Sequence, residues 1–147
     1  GSATVHSPGQ LVIYPILNLK ARRMSPKVFI ETLMKVTSET VTSFGISSRK
    51  GPEDSVGVWT QKGKIAFCGV RIREGVVQHG ISLNVSNDLS LFNQIHPCGF
   101  QDLQLDSIQG HSPQIQMYEV KKRWLHHFKS HNAFAKDGQA FVSVEFG

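Results

Sequence analysis

The sequence predicts an α+β fold, a mixed or antiparallel sheet packed against helices, and three observations predict it. Short apolar, β-branched runs recur between Gly- and Pro-marked turns. Two longer stretches repeat apolar side chains at helical spacing instead. Several strands in succession separate those stretches, an order that argues against a doubly wound parallel sheet. At 147 residues the chain fits one domain, residues 1–147.

Gln10 to Leu19 reads as a buried strand, with Pro15 expected at its end or at a bulge because it cannot donate to a ladder. Ser25 followed by Pro26 has the form of a helix start. Phe29, Ile30, Leu33, Met34, Val41 and Phe44 then mark one helical face, and Gly45 is the expected stop. Residues 46–55 read as loop. Val56 to Thr60 and Lys64 to Arg73 read as two strands of a hairpin around Gln61-Lys62-Gly63. Val76 to Val85 is strand broken at His79-Gly80. Residues 88–92 predict one helical turn, and residues 101–110 a loop. Ser112-Pro113 predicts the start of a second helix, with Met117, Val120, Trp124 and Phe128 on its stripe. Phe141 to Phe146 predicts a last strand.

Composition narrows the function classes. Apolar residues make up 39%, enough for a core and too many for a disordered tail. No apolar run has the ~20 residues a membrane helix needs. Lys and Arg exceed Asp and Glu by 16 to 11, a net charge of +5 that favours an acidic partner. The basic residues are dispersed rather than clustered with stacking aromatics, so a nucleic-acid module is disfavoured. With two cysteines, Cys68 and Cys98, and no signal-peptide pattern at Gly1, a reducing, cytoplasmic setting is expected. The sequon at Asn84 carries no weight in that setting.

Gly57 to Lys64 mimics a phosphate-binding loop, but five residues separate its glycines and Ile65 follows the lysine, so it is rejected. Cys98 stands between Pro97 and Gly99, a constrained turn that suits an exposed nucleophile with backbone donors beside it. A gap-filling residue suits the same turn. Lys64 opens a mostly apolar strand. An ammonium there lowers the pKa of a nearby thiol, whereas an edge lysine merely blocks strand pairing. Cys68 reads as a buried structural thiol. His126, His127 and His131 offer a minor metal-site alternative to a solvated helix end.

Taken in order, His6-Ser7-Pro8-Gly9-Gln10-Leu11-Val12, Tyr14-Pro15, Gly57-Val58-Trp59-Thr60, Lys64-Ile65-Ala66, Gly69-Val70-Arg71-Ile72-Arg73, His79-Gly80, Leu83-Asn84-Val85, Asp88-Leu89, Phe92 and Pro97-Cys98-Gly99 closely resemble the lipoyl(octanoyl) transferases of lipoate biosynthesis. The resemblance covers residues 1 to about 108. It implies a fold similar to lipoate and biotin ligases and an octanoyl transfer without cofactor, from acyl carrier protein, typically acidic, to a lysine of lipoyl domains. Those acceptors belong to 2-oxoacid dehydrogenase complexes and the glycine cleavage protein.

The resemblance makes Cys98 the acyl nucleophile and Lys64 the residue that lowers its pKa. It lines the acyl tunnel with Gly1, Ser2, Ala3, Thr4, Val5 and His6, with Phe67, Cys68 and Gly69, and with Gly80, Ile81 and Ser82. His79 is a further candidate for substrate contact. Metal, membrane and nucleic acid have no part in it, and a monomer is expected.

Two departures stand out. Val5 and Ser7 flank His6 where the family has Tyr and Gly, and Asp106-Ser107-Ile108 replaces Thr-Ser-Leu. An Arg-Gly-Gly lead-in is expected upstream, so the domain is expected to be N-terminally incomplete. The alternatives are a non-catalytic acyl-binding domain of the same fold and an ATP-dependent lipoate ligase.

Overall fold

The computed structural model describes residues 6–92, 103–131 and 134 in full, and 93–94 and 141–146 as backbone. Helix α1, Pro26–Ser43, begins where the sequence places it: the Ser25 hydroxyl accepts from the Val28 amide at 3.2 Å, with Pro26 in the first turn. It ends at Phe44, followed by Gly45 at φ +82°, the left-handed position glycine tolerates best. Phe29, Leu33, Met34 and Val41 of the expected stripe are buried.

Strands β1 (Gln10–Ile16), β2 (Ser48–Lys50), β3 (Gly57–Thr60), β4 (Lys64–Cys68), β7 (Ile81–Asn84) and β8 (Phe141–Phe146) form a six-stranded antiparallel sheet in the order β2-β3-β4-β7-β1-β8. Strands β5 (Arg71–Arg73) and β6 (Val76–Gln78) form a separate hairpin. Pro15 is the next-to-last residue of β1, as its missing donor requires. A 3₁₀ helix covers Leu89–Gln94.

Three expectations need correction. Residues 48–50 form an edge strand rather than loop, pairing with 58–60. Their Ser-Arg-Lys sequence has no apolar alternation to betray them. The span read as a single strand, 64–73, splits after Cys68, while the break expected at His79-Gly80 within 76–85 is present. The chain leaves the large sheet at Gly69-Val70 and returns at His79-Gly80, where His79 takes φ +58° and the Gly69 amide donates to the Gly80 carbonyl at 2.8 Å. The second helix, α2, spans Met117–Ser130 and so starts four residues after Pro113. Residues 112–115 make a turn that buries Ile115, and the Glu119 carboxylate reaches back to the Gln116 amide at 2.8 Å to start the helix.

Leu11 and Ile13 of β1, Ile81 and Leu83 of β7, Ala66 of β4 and Val58 of β3 join one core with Phe29, Leu33, Met34, Val120, Trp124 and Phe128 of the helices. Trp124 stacks on Phe128 at 5.0 Å, and its indole N–H donates to the Thr37 hydroxyl at 3.0 Å. That bond satisfies the buried indole donor and fixes α2 against α1.

Candidate active site

Because side chains alternate along a strand, the residues between the core positions point to the opposite face of the sheet. There the composition changes. Gln10, Ser82, Asn84 and Lys64 are all buried, yet all are polar. The register places Gln10 opposite Asn84 and Phe67 opposite Ser82.

Lys64 reaches this face through a bulge. Gly57 pairs with Phe67 and Val58 with Ala66, but Trp59 pairs with Lys64, so one extra residue, Ile65, sits on β4. Simple alternation would put Lys64 and Phe67 on opposite faces. The extra residue puts them on the same one. The Lys64 Nζ lies 4.5 Å from the Trp59 ring centroid and 4.7 Å from that of Phe67. Gly57 makes room, for a Cβ there would fall 2.6 Å from the Lys64 Cε and 2.5 Å from the Ala66 carbonyl oxygen. Strand β4 is interior, between β3 and β7, so Lys64 is not an edge lysine.

Burial holds the Lys64 ammonium below its ordinary pKa of 10.5, with the Cys68 sulfur opposing that shift. Burial likewise pushes the Cys68 thiol up, against the Val70 amide and the Lys64 charge. A lysine with a depressed pKa exchanges its proton more readily than a solvated one.

A second network braces Lys64 from behind. Its amide donates to the Gln104 carbonyl at 2.9 Å, and its carbonyl accepts from the Asp106 amide at 3.0 Å. The buried Asp106 carboxylate accepts from the Thr60 hydroxyl and from the Ser107 amide at 2.8 Å, and it meets His111 Nε2 at 2.5 Å. A polar chain crosses the sheet as well. His6 Nδ1 is 3.0 Å from Gln10 Oε1, Gln10 Nε2 donates to Asn84 Oδ1 at 3.0 Å, and Asn84 Nδ2 donates to the Asp106 carbonyl at 3.1 Å.

Of the residues singled out in the sequence, Phe67, Cys68, Gly69, Gly80, Ile81 and Ser82 are brought together on paired strands β4 and β7 and their continuations. Phe67 and Ser82 share the Lys64 face, while Ile81 belongs to the core cluster and Cys68 packs against it. Gly80 lies so close to the Ile13 carbonyl and to Pro15 that a Cβ there has no space. His79 is exposed on its turn. Gly1, Ser2, Ala3, Thr4, Val5 and Cys98 lie outside the described residues.

Sequence reasoning missed the Trp59 contact, the Gly57 niche and the Thr60–Asp106–His111 cluster. The departure at Asp106 was the available signal for the last of these. Among the described residues no group of three His, Cys, Asp or Glu side chains is placed to hold a metal. No helix among them is long and apolar enough to cross a membrane.

The model of the lipoyl protein ligase A/B catalytic domain family matches residues 1–129. The chain belongs to that family. Among its relatives is an octanoyltransferase of Pelobacter propionicus, 40% identical over 124 residues that make up 84% of this chain and 59% of that protein. An octanoyltransferase of Coxiella burnetii is 38% identical over 83% of this chain and 50% of its own length. The chain thus spans little more than half the length of these relatives. In structure it is similar to a lipoate-protein ligase A bound with ATP, with a TM-score of 0.64 at 14% identity, covering 82% of this chain and 51% of the other. A biotin protein ligase from Aquifex aeolicus gives a TM-score of 0.51 at 19% identity, covering 89% of this chain and 59% of the other. Both bear out the expected ligase-like fold.

Proposed function

We propose that the domain transfers an octanoyl group through a thioester on Cys98, with Lys64 as its proton partner. The observation that carries this reading is the Lys64 niche: a lysine only 8% exposed, its pKa lowered by burial, turned by a bulge onto the polar face. A second observation supports it. Phe92, six residues before Cys98, stacks on Phe67 at 6.0 Å, and Leu105, seven residues after it, bridges Lys64. Both described flanks of the Cys98 segment therefore meet the Lys64 neighbourhood.

The chemistry runs in two steps. The Cys98 thiolate, favoured by the Lys64 ammonium, attacks the acyl carrier protein thioester carbonyl. The C–S bond to the carrier breaks, and the departing thiolate takes a proton from Lys64, whose lowered pKa eases that release. A lipoyl-domain lysine amine then attacks the Cys98 thioester. The amide forms, the Cys98 thiolate leaves, and the amine's proton returns to Lys64. A thioester is less stable than an amide, so the sequence needs neither nucleotide nor cofactor. The acceptors in this reading are the lipoyl domains of 2-oxoacid dehydrogenase complexes and the glycine cleavage protein. The reading places the protein, as a monomer, in the cytoplasm, where thiols stay reduced.

Intact-mass measurement after incubation with octanoyl-acyl carrier protein, without ATP, tests this. One octanoyl group should be gained by the wild type and by Cys68→Ala, and none by Cys98→Ala. An adduct that persists in Cys98→Ala, or that requires ATP, overturns the assignment.

A further inference from the structure

The hairpin of β5 and β6 extends the end of β1. The Val77 amide donates to the Leu17 carbonyl at 2.9 Å, and Asn18 bridges Val76. Three short strands therefore lie side by side, and their side chains sort by face. Leu17 and Val77 are buried, with Ile72 partly buried beside them. The other face carries Ile16, Asn18, Val76, Gln78, Arg71 and Arg73, all exposed. Ile16 and Val76, 50% and 38% exposed, are two of the large apolar side chains open to solvent, and they share this face.

The charges around that pair are nearly all of one sign. Arg71 and Arg73 lie on the outer strand, and the Gly75 turn packs against the loop holding Lys20 and Arg23. Residues 10–30 contain no acidic side chain, and residues 69–87 contain one, Glu74 at the hairpin tip. Among the described residues no carboxylate pairs with Arg71, Arg73, Lys20 or Arg23. The hairpin is joined to the large sheet through Gly69 and His79-Gly80, beside the strands that bear Phe67, Ser82 and Lys64.

We propose that this face is the docking surface for the acidic carrier protein that brings the acyl thioester. The proposal rests on the octanoyl-transfer reading and adds to it the place of the donor. Apolar side chains flanked by Arg71 and Arg73, with Lys20 and Arg23 on the neighbouring loop, suit an acidic protein surface with an apolar spot, the cations chiefly raising the association rate and fixing orientation. The hairpin leaves β4 five residues past Lys64, roughly 17 Å at ~3.3 Å per residue, the span that a tethered acyl group from a carrier seated here must cover to reach the site.

The test is the charge reversal Arg71→Glu/Arg73→Glu in the full-length protein, with Arg71→Gln/Arg73→Gln and a thermal melt as controls for folding. Carrier binding is followed by calorimetry at two salt concentrations, and turnover by octanoyl transfer from carrier protein and from octanoyl-pantetheine. The reversal should weaken carrier binding and lower kcat/KM for the carrier-borne substrate at least tenfold, and it should flatten the salt dependence. Transfer from octanoyl-pantetheine should be retained. Unchanged carrier binding overturns the proposal, as does a loss shared equally by the small thioester. A defect confined to the KM for the lipoyl domain, or to binding of anionic vesicles, overturns it in favour of those partners. If the wild type binds the carrier in this charge-dependent way yet transfers no octanoyl group, the docking face stands and the transfer reading falls.

Discussion

The two faces of the central sheet are built from the same strands, yet they answer to different physics. One face presents Leu11, Ile13, Val58, Ala66, Ile81 and Leu83, all apolar, to the core shared with the helices. The other buries Gln10, Ser82, Asn84 and Lys64, groups that cost free energy to dehydrate and that hydrogen bonds only partly repay. The first face specifies the fold. The second keeps an expense that folding alone would not select, which is why the chemistry is sought there.

The largest expected break in that comparison is on the apolar side. Leu83→Ala should cost about 2–5 kcal/mol in urea unfolding, from lost burial and the cavity left behind. On the polar face, Asn84→Ala should cost about 1–3 kcal/mol, because Gln10 Nε2 and Asn87 Nδ2 both donate to the lost oxygen. Gly57→Ala should cost about 1–2 kcal/mol in the same assay. It should also lower the octanoyl transfer rate about tenfold, since the new methyl displaces the Lys64 chain; a slower Leu83→Ala at a temperature where it stays folded would blur the distinction between faces.

Lys64→Met should change stability least, within about 1 kcal/mol near neutral pH and on the stabilising side. The removed desolvation cost is offset by lost contacts of the ammonium with Trp59 and Phe67. Its pH dependence sharpens the test. The folded protein releases the Lys64 proton at a lower pH than the unfolded chain, which holds it to 10.5. Across that window the unfolded state binds more protons, so wild-type stability should rise with pH. The Met variant should lack the rise in chemical denaturation followed over the same range.

Much of this division was legible beforehand. Ser25-Pro26 and the Phe29–Phe44 stripe announce α1, and the unbroken apolar run Leu11-Val12-Ile13 announces the buried strand β1, because such capping and burial patterns are local in the sequence. The bulge was not legible. Lys64 and Phe67, three apart on a strand, read as opposite-facing, and only pairing with Trp59 and Gly57 across the hairpin reverses that. The start of α2 was misplaced for a similar reason, since Ser112-Pro113 has the residues of a helix start but Ile115 is drawn into the core first. Arg49 and Lys50 conceal a strand whose pairing is all backbone.

The account depends on the Lys64 amine acting on the Cys98 sulfur. Its most direct test is the pH profile of Cys98 alkylation, followed by peptide mass in the wild type and in Lys64→Met. The ammonium should favour the thiolate, so the wild-type profile should rise at lower pH and removal of the amine should move it upward by about one pH unit or more. Superimposable profiles in the two proteins would contradict the pairing on which the mechanism rests.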